Sequence, residues 1–169
     1  MAVRSASEGI LSDDKASQRE ELIEMLTKAY WMEVETVMSY LANSINPEGV
    51  RAQEIIESLE EDVQEELGHA RQFGERIKEL YGVVPGSLDF SAEQSYLQPP
   101  DDQIDIVHVI KGVIEAETGA VEHYNQIIEF CEGKDPVTQD MVTAILHDEE
   151  GHRRLFEGFL REYVAEGMA

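Results

Sequence analysis

Apolar side chains recur at alternating intervals of three and four residues along four stretches of the chain, the spacing that turns one face of an α-helix toward a core. The first stripe runs Leu22, Leu26, Ala29, Glu33, Val37, Tyr40, and the second runs Leu59, Val63, Glu66, Ala70, Phe73, Ile77, Leu80. The third is Ile106, Ile110, Val113, Glu117, Ala120, Tyr124, Ile127; the fourth is Val142, Ile145, Glu149, His152, Phe156, Phe159, Tyr163. Each stripe is interrupted midway by a glutamate, a residue rarely buried without a partner.

Start and stop signals bound the four patterns. Ser17 with Glu20 reads as a capping box opening a first helix that runs to about Ser44. Asn46 and Pro47 read as the start of a second helix that continues to Gly82, ahead of Pro85. A third opens after Pro99, Pro100, Asp101 and Asp102 and ends near Gly133, and Asp135 with Pro136 starts the fourth. About twenty residues separate the second and third helices, which calls for local structure; Ser91 with Gln94 predicts a short helix there. Two short connections around one long one predict an all-α four-helix bundle over 17–165 with a crossover between its second and third helices. Residues 1–16 are expected to form a flexible tail.

The halves echo one another. Glu33 stands seven residues before Tyr40 and thirty-three before Glu66, with His69 three further on; Glu117 stands seven before Tyr124 and thirty-two before Glu149, with His152 three further on. This pattern reads as a duplicated helix pair. Four ionised carboxylates in one core layer are costly and mutually repulsive. Two divalent cations would balance the four charges, and two neutral imidazoles would complete the donors. Residues three apart share a helix face, so each Glu-x-x-His can serve one ion, leaving Glu66 and Glu149 placed to bridge. Oxygen and nitrogen donors without thiolates favour iron, with manganese or zinc as substitutes, over a structural zinc site.

Composition narrows the alternatives. The chain has 169 residues, enough for one domain, with 42% hydrophobic and 29% charged residues. No stretch is long and apolar enough to span a membrane, and MAVRSASEGILSDDK has no apolar core of a secretory signal, so a cytoplasmic protein is expected. Cys131 is the only cysteine, which excludes an intrachain disulfide and reads as a buried hydrophobe. A net charge of −23 argues against direct nucleic-acid binding, and Arg4, Lys15 and Arg19 are too few to form a basic arm. Such a surface concentrates cations and also suits a salt-rich cytoplasm.

Other chemistry-bearing residues fall off the stripes. Glu35, Glu65, Glu115, Asp148 and Glu150 read as solvated charges, and His108, His123 and His147 as surface histidines. Tyr40 and Tyr124 read first as core aromatics, and Trp31, an electron source in principle, as a packing residue.

From about residue 20 to 163 the chain resembles the bacterioferritin and Dps-like branch of the ferritin superfamily, and is particularly similar to archaeal Dps-like proteins. The similarity rests on LTKAYWMEVETVMSY at 26–40, EELGHARQF at 65–73 and GKDPVTQDMVTAILHDEEGH at 133–152. It implies a ferritin-like bundle holding two iron ions per subunit. Glu33 and Glu117 would be terminal ligands, Glu66 and Glu149 bridges, His69 and His152 nitrogen ligands, and Tyr40 the tyrosine near the iron. The activity implied is ferroxidase: oxidation of Fe(II) by peroxide or dioxygen, with ferric mineral stored in a hollow homo-oligomer. The expected assembly is a dodecamer rather than a 24-mer, because no fifth helix follows the fourth.

Three departures sharpen the picture. Leu67 replaces the haem-binding methionine of bacterioferritins, so no haem is expected; Gly119 stands where archaeal Dps-like proteins often carry a cysteine; and Ala120 replaces the extra glutamate of rubrerythrin-like enzymes. Two other readings remain: a di-iron peroxidase or oxidase without storage, and a non-catalytic helical interaction module.

Overall fold

The computed structural model describes residues 9–169. Four long helices, α1 (Ala16–Ile45), α2 (Ala52–Glu79), α3 (Ile106–Cys131) and α4 (Pro136–Ala165), form a four-helix bundle, and a crossover joins α2 to α3.

The chain ahead of α1 is docked from Gly9 onward, so the expected flexible tail is corrected over residues 9–15; residues 1–8 lie outside the described residues. Two 3-10 turns, Gly9–Leu11 and Asp13–Lys15, bury Ile10 against the bundle, and Arg19 Nη1 donates to the Ile10 and Ser12 carbonyls at 3.0 Å each. The second turn runs straight into α1, and the Ala16 N–H bonds to Asp13 O. The helix start therefore needs no side-chain cap, and the Ser17–Glu20 box is not used.

The α1–α2 connection is longer than its sequence suggests. Asn46 keeps a helical backbone as the C-cap of α1, its N–H reaching Ala42 O at 3.0 Å, so it cannot open the next helix. Gly49, at φ 102°, makes the turn, and α2 begins five residues after Pro47. At its far end α2 closes through a left-handed residue, but that residue is Tyr81 (φ 68°), one before the glycine. Gly82 then returns its N–H to Ile77 O at 2.9 Å, a Schellman closure. A Cβ at Gly82 would lie 2.8 Å from Ile77 Cγ2, so glycine serves close approach here.

The crossover holds two 3-10 turns, Ser87–Asp89 and Ser95–Leu97, and the stretch from Ser91 to Gln94, where a short helix was expected, is irregular. It is pinned to α1 by Glu35, whose carboxylate accepts from the N–H groups of Glu93 and Gln94 at 2.8–3.0 Å, and by Asn43 Nδ2, which donates to Leu97 O at 2.9 Å. Helix α3 is capped by Asp105 rather than the earlier acidic pair, and α4 by Asp135 with Pro136 in its first turn.

Two apolar clusters fill the bundle. One gathers Leu22, Leu26, Phe73, Ile77 and Ile127 around Tyr124; the other gathers Leu59, Ile110, Val113 and Phe156 around Tyr40. The interrupting glutamates lie in the polar layer left between the clusters.

Candidate metal centre

The helix periodicity that buries each stripe also carries its polar residues inward. Glu33 on α1, Glu66 and His69 on α2, Glu117 on α3, and Glu149 and His152 on α4 are all at most 9% exposed. The structure brings these six together in two sets of four. Glu33, Glu66, His69 and Glu149 form one set, and Glu66, Glu117, Glu149 and His152 the other; within each, one ligand atom per residue lies within 4.8 Å of the rest. Glu66 and Glu149 belong to both sets. Each helix pair contributes one glutamate and one histidine to its own set, and one glutamate shared by both.

Both imidazoles face the same way. His69 Nδ1 points inward, 3.0 Å from Glu149 Oε1 and 3.3 Å from Glu66 Oε2, while its Nε2 lies 3.3 Å from Asp148 Oδ2 outside. His152 Nδ1 is 3.4 Å from Glu66 Oε1 and 3.5 Å from Glu149 Oε2, while its Nε2 lies 2.7 Å from Glu65 Oε2 and 3.5 Å from Asp62 Oδ1. An outer carboxylate that accepts from Nε2–H leaves the Nδ1 lone pair turned into the shared space.

Electrostatics mark this as a crowded layer. Burial, with Glu66 and Glu149 alongside, holds the Glu33 and Glu117 carboxyls well above the usual range. Burial also pushes Glu66 upward, but the adjacent Glu33, His152 and His69 outweigh it and bring the group to about 2. For the imidazoles burial acts downward and the carboxylates win, raising His69 to about 10 and His152 to about 12. Glu33, Glu117 and the two imidazoles thus hold on to protons in the places where cations would balance the same charge.

The donor chemistry fits two divalent ions. Glu66 Oε1, both Glu149 oxygens and His152 Nδ1 are buried and have no partner of hydrogen-bonding geometry, although imidazole and carboxylate atoms lie close by. Buried polar atoms rarely stay unsatisfied, and here they converge on the space between the two shared glutamates.

The tyrosines cross between the halves. Tyr40 of α1 donates its hydroxyl to Glu117 of α3, and Tyr124 of α3 donates to Glu33 of α1. Burial first, then the adjacent carboxylates, raise both phenols well above their usual value, so they serve as neutral donors. A small cavity beside the carboxylates is lined also by Met32, Thr36, Gln94, Ala116 and Ala120; its free space of ≈ 10 Å³ admits about one water molecule.

Some expectations for neighbouring residues are overturned. Glu35 is a buried anchor of the crossover rather than a solvated charge. His123 is also buried; its Nε2–H donates to Met25 O at 2.9 Å, and burial lowers its basicity. Glu65 and Asp148, though partly solvated, reach the outer faces of the histidines. Asp62, one turn before Glu66, is also buried at 5% exposure; the i, i+4 spacing to a stripe glutamate is its only signal in the sequence.

Comparison with known proteins points one way. The pattern of the ferritin-like domain family matches residues 23–164. Over 146 residues the chain is 34% identical to the DNA protection during starvation protein of Pyrococcus furiosus, covering 83% of this chain and 77% of that protein. It is 24% identical over 148 residues to bacterioferritin of Desulfovibrio desulfuricans, covering 87% and 78%. The structure superposes on a dodecameric thioferritin, the bacterioferritin-related protein of Bacteroides fragilis, with a TM-score of 0.74 at 25% identity, covering 88% of this chain and 89% of that one.

Proposed function

The chain belongs to the ferritin-like family, and from that premise we propose that it is a ferroxidase which oxidises Fe(II) within each subunit and stores the ferric product in a hollow homo-oligomer. Iron storage and ferroxidase chemistry are the general province of that family. The observation that carries the proposal is the pair of four-donor sets sharing Glu66 and Glu149.

Ferrous iron is the substrate, and two ions held side by side would each give one electron to the oxidant. Glu33 and Glu117 would hold one ion each, His69 and His152 would offer Nδ1, and Glu66 and Glu149 would bridge. Tyr40 and Tyr124 keep Glu117 and Glu33 oriented and hold their own protons. Hard carboxylate oxygens favour the ferric over the ferrous state. The water-sized cavity supports peroxide or dioxygen as oxidant over an organic substrate, which weighs against an oxidoreductase acting on small organic molecules. The cost of burying four carboxylates weighs against a purely structural bundle.

A dodecamer in the cytoplasm is the proposed assembly, consistent with the dodecameric relative and the lone buried thiol. With a net charge of −23, any protection of DNA would act by removing ferrous iron and peroxide rather than by contact.

Anaerobic titration of metal-free protein with Fe(II), followed by peroxide or air, tests the proposal. Two ions per chain, a ferric-oxo absorbance band and a particle that goes on to accept many more ions are expected. Glu66→Gln should weaken both positions, whereas Glu33→Gln should weaken one. Absence of tight binding in the wild type would overturn the reading.

A further inference from the structure

The twofold echo relates Glu33 to Glu117, but the residues beside them are not alike. One position before and three positions after Glu33 stand Met32 and Thr36; the corresponding positions around Glu117 are Ala116 and Ala120. All four line the small cavity beside the carboxylates. The two alanines of α3 leave room that the helices themselves do not fill. The crossover fills it with Gln94, which lines the same cavity.

Gln94 is 4% exposed, whereas Ala92, Glu93 and Ser95 around it are exposed. Its side chain therefore reaches inward from a surface segment to the cavity wall. Nε2 donates to Thr36 Oγ1 at 2.9 Å and to Met32 O at 3.4 Å, and the main-chain N–H donates to Glu35 Oε1 at 2.8 Å. Immobilising a glutamine costs side-chain entropy, and the crossover is already held by Glu35 and Asn43. The inward amide is thus more than attachment requires. With it in place the free space is ≈ 10 Å³, about one water molecule.

We infer that Gln94 is the specificity-determining residue of the oxidant pocket, a stopper that admits oxidants of two heavy atoms and excludes organic hydroperoxides. The inference rests on the ferroxidase reading above. One oxygen of a two-atom oxidant fits the cavity; an alkyl group on that oxygen does not, because the Gln94 amide occupies the space it would need. Hydrogen peroxide takes one electron from each of two Fe(II) and, with two protons, leaves as two waters. tert-Butyl hydroperoxide takes the same electrons and protons and leaves as tert-butanol and one water, the O–O bond breaking in each case. The two oxidants therefore differ at the pocket in size.

Stopped-flow mixing of the full-length protein, carrying two Fe(II) per chain, with either hydroperoxide gives a ratio of oxidation rates by ferric absorbance. Wild type should react at least about a hundredfold faster with hydrogen peroxide. Gln94→Ala should raise the rate with tert-butyl hydroperoxide about tenfold and leave that with hydrogen peroxide within about threefold. Thr36→Ala widens the same cavity from α1 and covers the case of an unfolded Gln94 variant; its ratio should move in the same direction. Asn43→Ala loosens the crossover at Leu97 and should keep the wild-type ratio. A readout without turnover is the ligand-field spectrum of the Co(II)-loaded protein titrated with azide, a three-atom ligand. Gln94→Ala should respond at about tenfold lower azide than wild type. Equal rates with the two hydroperoxides in the wild type would overturn the stopper, as would unchanged ratios in both cavity variants. A ratio in Asn43→Ala that moves as far as in Gln94→Ala would also overturn it, assigning selectivity to the crossover's attachment. Where air alone oxidises the wild type, the azide titrations decide, and equal values overturn the stopper. Each of these outcomes leaves the ferroxidase reading standing. A wild type that fails to bind two Fe(II), or is oxidised by neither hydrogen peroxide nor air, removes that reading itself.

Discussion

At the scale of single residues, the candidate site was legible because its polar side chains replace apolar residues on otherwise regular stripes, and a charge on a core row demands an explanation. The residues that escaped notice lie one position or one turn away from a stripe. Asp62, Glu35 and His123 are buried by what packs over them from another helix or the crossover, and helical spacing within one element carries no record of that. The same holds for Arg76, which donates to both oxygens of Asp135 at 2.9 and 3.0 Å and to Thr138 Oγ1 at 2.8 Å. Burial pushes the Asp135 carboxyl up, but bonds from Thr138 and Arg76 outweigh it and hold the group below its usual 3.8. Its stabilisation is then complete above that value and lost as pH falls through the lower, folded-state one. Asp135→Asn should cost about 3 kcal/mol at neutral pH. The gap from wild type, read from urea midpoints, should stay constant down to about pH 5 and narrow below about pH 4.

At the scale of elements, the four helices follow from periodicity, while their ends depend on neighbours. Asp135 with Pro136 starts α4 as the local rules require, because the cap acts through its own backbone. The Ser17 box goes unused since a preceding turn already supplies the needed carbonyl, and Asn46 is claimed by the helix before it. The crossover is fixed by contacts with α1 and α3 that no local signal encodes. Its tightest approach is at Gly112, where a Cβ would lie 2.7 Å from Tyr96 O and 3.5 Å from Leu97 Cα. Backbone cannot yield as a flexible side chain does, so Gly112→Ala should cost about 1–3 kcal/mol. Hydrogen exchange should localise the loosening to the Ser95–Leu97 turn and its α3 contacts, with α2 and α4 unchanged.

At the scale of the whole molecule, the layer of buried carboxylates separates two apolar clusters, so apolar burial contributes least where the polar groups are concentrated. Ions bound there would stabilise the fold by mass action, about 2.7 kcal/mol per site at a hundredfold excess over Kd. Stripping metal with a chelator should therefore lower the thermal midpoint by roughly 5–10 °C per site for a domain of this size, measured by circular dichroism and restored on adding Fe(II) anaerobically. The arrangement of donors adds a constraint on how that stabilisation arrives. Each set takes three ligands from one half of the chain and borrows its fourth from the other, Glu149 for the first and Glu66 for the second. Neither half can complete a coordination sphere from its own residues. On the proposed reading, the first ion to bind would rivet the two halves together and gather the carboxylates that a second ion would use. Uptake would then be a joint act of both halves, each keeping an ion in place only with a carboxylate on loan from the other.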